Sequence, residues 1–295
     1  MKALVAESTL VIVGADAEAV HRMRVASRRL REALRVARAL TPRPGLARLS
    51  RRVRSVTRAL GRLREDQVSL TLLADFPSTG EAAAGLDWLR GRFERRVNRW
   101  ATRAQKRLSA SDLGALERRV EVALAAKGSQ RSRSSDVPFP AELVRRRAEV
   151  AERRLGEAHR HRSDESLHAL RIAAKRLRYL LELVAVGTAS GARSVAQFKK
   201  LQDALGNDHD LSVLAAAVAR EIERVDAGHE PILAGSLAAA AGLVAEEQVR
   251  CRARLDRQLG RWPAGAIAGC AAVGTARRAP RRPTAPATSR RRRPA

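Results

Sequence analysis

Two stretches of the chain carry side chains with an evident chemistry to offer. Residues 20–35 read VHRMRVASRRLREALR and residues 167–182 read LHALRIAAKRLRYLLE. At an offset of 147 they agree at 7 of 16 positions, including His21/His168, Arg24/Arg171 and Arg31/Arg178, with Arg28 aligned to Lys175. At about 3.6 residues per helical turn, His21, Arg24, Arg28, Arg31 and Arg35 share one face, and Met23, Ala26, Leu30, Ala33, Leu34 and Ala37 the opposite one. In the second stretch His168, Arg171, Lys175 and Arg178 form the polar stripe, while Leu170, Ala173, Leu177, Leu180, Leu181 and Val184 face the core.

Guanidinium groups are always charged, and their planar fork matches the oxygens of a phosphate. Like charges one turn apart repel, so a one-signed stripe costs stability unless an anion neutralises it. Stripe residues recur about every 5.4 Å along a helix, a spacing at which a linear polyanion can meet successive cations. Release of counterions would make such binding weaken steeply with salt. His21 and His168 would gain charge beside a phosphate and strengthen binding at mildly acidic pH. The next helix of the first half adds Arg51, Arg54, Arg58 and Arg62; the second half offers only Lys199 and Lys200, with Asp203 opposite Arg58 in the alignment. The stripes therefore predict a binding surface that favours the first half.

The elements that must position these residues are helices. The 295 residues carry 58 Lys+Arg against 31 Asp+Glu, a formal net charge of +27, with 45% hydrophobic residues and only 3% aromatics. That core-forming but aromatic-poor mixture argues against a β-sandwich or barrel and for an all-α fold. Asp16 and Ser163 stand at equivalent N-cap positions, each followed by a glutamate in the first turn. Breakers at 41–45 and 187–191 end the striped helices. Further helices are predicted near 46–74, 81–107 and 112–126, and near 140–161, 164–186, 193–224 and 231–259.

The matching stretches make the chain a tandem duplication. Residues 1–126 form a first repeat whose opening helix looks truncated, 127–140 a linker, 141–261 a second repeat, and 262–295 a disordered basic tail. Two cysteines, Cys251 and Cys270, build neither a disulfide framework nor a four-ligand zinc site. No apolar run reaches the roughly 18 to 20 residues of a membrane span; residues 231–245 read as buried helix, and no secretory leader is evident. The expectation is a cytoplasmic protein with an anionic partner, no membrane partner and no cofactor.

The twice-occurring pattern His-x-x-Arg-[Val/Ile]-x-x-[Arg/Lys]-Arg-Leu-Arg, with a Leu-Gly element after each copy (Leu60-Gly61 and Leu205-Gly206), resembles the CHAD family, the conserved histidine α-helical domain. The resemblance covers roughly residues 16 to 260. It implies two four-helix bundles related by a pseudo-two-fold, with the basic helices lining a central groove or pore. It further implies non-catalytic binding of inorganic polyphosphate, often at polyphosphate granules, by His21, Arg24, Arg28, Arg31, His168, Arg171, Lys175 and Arg178. Many members of that family are joined to a triphosphate-tunnel domain, which suggests a separate partner of that kind. The sequence departs from the family pattern at Glu65, where Asp is usual, and at His209, where Arg is usual.

Two other readings stand beside this one. Non-specific nucleic-acid binding needs only phosphate contacts and suits the basic tail, although one Tyr, three Trp and four Phe leave little for base stacking. A phosphohydrolase or phosphotransfer enzyme would use the histidines or the Asp208-His209-Asp210 run, yet the paired histidines sit among cations.

Overall fold

In the computed structural model, the described residues are 1–40, 44–125, 139–184, 189–227 and 230–275. All their regular elements are helical. The first half contains α1 (Lys2–Val13), α2 (Ala17–Leu40), α3 (Pro44–Ala59), α4 (Gly61–Ala74), a 3₁₀ turn (Gly80–Ala82), α5 (Ala83–Ser109) and α6 (Leu113–Ala125). The second contains α7 (Phe139–His161), α8 (Asp164–Val184), α9 (Ala189–Ala227), α10 (Pro231–Leu259) and α11 (Ala266–Thr275).

The two striped helices start alike. The Asp16 carboxylate accepts from the amides of Glu18 and Ala19, each at 2.9 Å, and the Ser163 hydroxyl accepts from the Ser166 amide at 3.2 Å. These bonds satisfy amides that have no partner inside the helix. The residue before each cap, Ala15 and Arg162, has positive φ, +50° and +49°. Side-chain donors hold both bends: Gln67 Nε2 donates to the Ala15 carbonyl at 3.1 Å and Arg252 Nη1 to that of Arg162 at 3.0 Å.

Helix packing recurs between the halves as well. α2 packs on α1 and α3, and α8 packs on α7 and α9; α5 pairs with α4, and α10 with α9. One cluster of buried apolar residues lies within the first half, around Met23, Leu34, Val53 and Leu63, and another in the second, around Leu170, Leu177, Phe198 and Leu255. A third belongs to both: Leu73, Leu86 and Phe93 pack with Leu214, Val218, Leu237 and Val244. At this junction α5 and α10 cross so closely that a Cβ on Gly85 would lie 2.4 Å from the Ser236 carbonyl oxygen. The Ser236 hydroxyl accepts from the Gly85 amide at 2.7 Å and donates to the Glu81 carbonyl at 2.6 Å. Beside it, Arg96 pairs with buried Asp66 of the first half at 2.8 Å and lies 3.8 Å from buried Glu221 of the second.

Several sequence expectations change. The helix foreseen over 46–74 is interrupted at Leu60, whereas its counterpart α9 runs unbroken through Leu205-Gly206. The first half opens on a helix, α1, which is short as the sequence suggested, 12 residues where α7 has 23; Leu4 and Val11 are buried in the core. Past Trp262 the chain is ordered as α11, whose Ile267 and Ala271 are buried against the second-half core. Glu152 of α7 holds the start of α11, accepting from the amides of Gly265 at 2.7 Å and Ile267 at 3.0 Å. Helicity was overlooked there because Ala and Gly carry little amphipathic signal. The rest of the tail, 276–295, and the linker over 127–138 lie outside the described residues.

Among the described residues α10 alone is long and apolar enough to cross a membrane, with mean hydropathy 1.3 over its best 18-residue window. The sequence reading counted only uncharged residues and so fell short of that length. Leu237, Ala240 and Val244 on this helix are buried in the shared core.

Candidate anion-binding groove

α2 and α8 meet face to face, and their stripes converge. Between them lies a cavity of about 280 Å³ lined by Arg28, Arg31 and Arg35 from α2 and by His168, Arg171 and Lys175 from α8, among others. The two stripes, 147 residues apart in sequence, thus share one space. The electrostatics show the same proximity: Arg24 is depressed by Arg171, Lys175 by Arg28 and Arg24, and Arg31 by Arg176.

Burying these cations costs the fold energy. Burial is the leading cause in each case; neighbouring positive charges add to it at Arg24, Lys175, Arg31, Arg171 and Arg176, and nearby acids oppose it at Arg64. Arg24 is pushed down to about 10 and Lys175 to about 7. The pKa values of Arg31, Arg171, Arg64 and Arg176 are lowered too, again by burial first. Buried Nε atoms of Arg31 and Arg171 have no hydrogen-bond partner among the described residues. An unsatisfied buried donor of this kind costs about 1–3 kcal/mol, more when charged.

Other stripe members are already engaged. Arg35 donates to Glu32 at 2.5 Å, and Glu32 is only 1% exposed and also faces Arg147 of α7 at 3.3 Å. Arg178 donates to Gln202 at 2.9 Å and to Glu182 at 2.6 Å, while Glu182 also accepts from Arg29 of the first half at 2.9 Å. The stripes are therefore not one-signed in space, and that of α8 ends on Glu182 within its own helix: acids close one end of the groove. Arg24 keeps one bond, from Nη1 to the Thr57 carbonyl at 3.3 Å, available because the break at Leu60 ends α3 there.

Around the histidines the halves differ. The pKa of His21 is lowered first by burial and then by Arg64; that of His168 is lowered first by burial and then by Arg171 and Lys175. The ring of His209 stands 4.9 Å from that of His168, in the position that Arg64 holds by alignment, and its pKa is held down at about 4, chiefly by burial. Asp208, His209 and Asp210 lie inside α9 and serve three partners: Asp208 accepts from Arg252 at 2.6 Å, His209 packs on His168, and Asp210 stands 3.6 Å from Arg171. Among the described residues no group of three or more His, Cys, Asp or Glu is placed to hold a metal ion.

The flanking basic residues are less well brought together. Arg51, Arg54 and Arg58 on α3 are exposed, and of these Arg54 is close enough to Arg31 to depress it. Arg62 turns away, its guanidinium 5.0 Å from the centre of the Trp100 ring. Lys199 and Lys200 on α9 are exposed, and Lys200 lines a different cavity of about 570 Å³ beside Arg193 and Arg261. Sequence reasoning missed Arg64 and Arg176 as groove members; Arg64 was visible as the aligned partner of His209, and Arg176 only as a matched arginine beside the stripe. His159, at the end of α7, hydrogen-bonds the Trp262 carbonyl at 3.1 Å.

Fold and site together define an all-helical protein with a cation-lined groove between two of its helices. The chain belongs to the CHAD domain family, whose model matches residues 1–219. Its fold is similar to the crystal structure of the CHAD domain from the plant Ricinus communis, with a TM-score of 0.66, 23% sequence identity, and coverage of 89% of this chain and 88% of that one. It is also similar to two uncharacterized proteins of Mycobacterium tuberculosis, MT2285 of strain CDC 1551 / Oshkosh and Rv2226 of strain ATCC 25618 / H37Rv, each 29% identical over 262 residues and matched over 84% of this chain. The chain spans about half the length of these relatives, 48% of each.

Proposed function

We propose that this protein binds inorganic polyphosphate in the α2/α8 groove and does not turn it over. The observation that carries the reading is the convergence of two basic stripes on one cavity, with the Nε atoms of Arg31 and Arg171 buried and unpartnered. Such a site is unfavourable when empty and relieved by a polyanion. Membership of a family associated in general with polyphosphate binding supports the same ligand. The ligand-facing set in this reading is His21, Arg24, Arg28, Arg31, Arg64, His168, Arg171, Lys175 and Arg176, with Arg54 at the rim.

The same reading takes the two halves as tandem repeats related by a pseudo-two-fold. The matched caps, the matched positive-φ residues before them and the recurring helix pairings support it. Cytoplasmic location, attachment to polyphosphate granules and a separate triphosphate-tunnel partner are extensions of this proposal.

Competition binding tests it. Labelled long-chain polyphosphate is titrated with the full chain at two salt concentrations, with and without excess duplex DNA. Binding that weakens with salt yet survives excess DNA is expected. Equal displacement by DNA would favour a generic nucleic-acid-binding polycation, and release of phosphate during incubation would make the protein an enzyme.

A further inference from the structure

Six of the 58 basic residues are lysines, and one of them occupies the groove. Lys175 lines the 280 Å³ cavity at the position that the first half fills with Arg28. Its ammonium forms no ion pair among the described residues. The charged groups acting on it are Arg171, Arg28 and Arg24, with Asp210 as the opposing acid; the cavity is also lined by Glu32, which is paired with Arg35, and by Arg31, Arg176, His168 and Tyr179. An arginine there would serve phosphate binding at least as well. What lysine adds is a nucleophile, because an amine desolvated beside other cations loses its proton near neutral pH. Burial and those neighbours hold its pKa at about 7.

We propose that Lys175 is an acyl-acceptor site, at which the guanidinium groups of Arg28 and Arg171 seat the phosphoryl group of an acyl phosphate and the Lys175 amine takes the acyl group. This rests on reading the groove as an anion site. The amine nitrogen attacks the acyl carbon and a carbon–nitrogen bond forms. The bond from that carbon to the phosphoryl oxygen breaks, and inorganic phosphate leaves with the electron pair. The proton shed by nitrogen passes to solvent. No oxidant, reductant or metal is required. The product amide carries no charge, so acylation removes one cation from the groove and weakens its hold on a polyanion.

The test treats the full chain with acetyl phosphate at about pH 8, and in parallel with an uncharged N-hydroxysuccinimide acetyl ester. Acetylation of each lysine is followed by peptide mass spectrometry, with and without polyphosphate, and polyphosphate binding is measured on the same preparation. With acetyl phosphate, Lys175 should react at least tenfold faster than exposed Lys199 and Lys200, polyphosphate should suppress that reaction, and Arg28→Gln should slow it. With the uncharged ester the preference for Lys175 should be smaller and indifferent to Arg28→Gln, because that reagent has no phosphoryl group for the arginines to seat. Uniform labelling by acetyl phosphate, or labelling of Lys175 that polyphosphate and Arg28→Gln leave unchanged, would overturn the proposal. If polyphosphate binds but Lys175 stays unlabelled, the acceptor role fails and the anion site stands. If polyphosphate does not bind, the anion site itself fails.

Discussion

A lysine whose pKa falls from the usual 10.5 to about 7 on folding works against the folded state. Between those values the unfolded chain binds more protons than the native one, so stability should rise as pH is raised from about 7 towards 10.5. Lys175→Met should therefore stabilise the ligand-free protein at pH 7, by about 1 to 3 kcal/mol, while weakening polyphosphate binding. Thermal denaturation and a titration on the same variant check both signs; a variant that loses stability would contradict the account. His21 and His168, also held below their usual pKa, are neutral at pH 7 and charge only on acidification. Because Lys175 also gains charge over this range, polyphosphate affinity should increase between pH 8 and 5.5 in the native chain, and less steeply in Lys175→Met; a flat profile in that variant would remove the histidines from the site. The sequence displayed both stripes, since each repeats within one helix. It did not display Glu32 as a buried partner, because its counterpart Arg147 lies on α7 and no wheel drawn on α2 can include it.

Local signals at helix ends were read more securely than tertiary ones. Asp16 and Ser163 cap α2 and α8 as their residue types predict, because the bond runs to amides two or three positions away. Asp16→Ala and Ser163→Ala should each cost about 1 kcal/mol, measurable as a shift in the denaturant midpoint. The break at Leu60 was not legible: the same Leu-Gly pair occurs inside α9 without interrupting it. The partners differ with it: Arg24 reaches the Thr57 carbonyl freed at the break, whereas its counterpart Arg171 turns to Asp210. α11 was missed because it buries only small and aliphatic side chains with no polar face to set a period. Ending the chain after Trp262 should uncover the surface that Ile267 and Ala271 cover, at a cost of about 2 kcal/mol or more. A melting temperature equal to that of the full chain would show that α11 adds nothing.

At the scale of the molecule, the groove exists only because the two halves are held in register. α2 and α8 come from different halves, and the shared apolar cluster with the Asp66–Arg96–Glu221 network ties those halves together. Arg96→Ala would leave two buried carboxylates without that partner and should destabilise by about 3–5 kcal/mol. No pattern within either half announces this junction, since its contacts are long-range in sequence and its residues look like ordinary core. The central claim is that both stripes make one site. The direct measurement is calorimetric titration of short-chain polyphosphate into the full chain and into two double variants, Arg24→Ala/Arg28→Ala and Arg171→Ala/Lys175→Ala. One composite site requires a single binding event per protein, with affinity reduced at least tenfold in both variants. Two events in the full chain, one of them surviving intact in each variant, would mean that the stripes bind independently and that no shared groove exists.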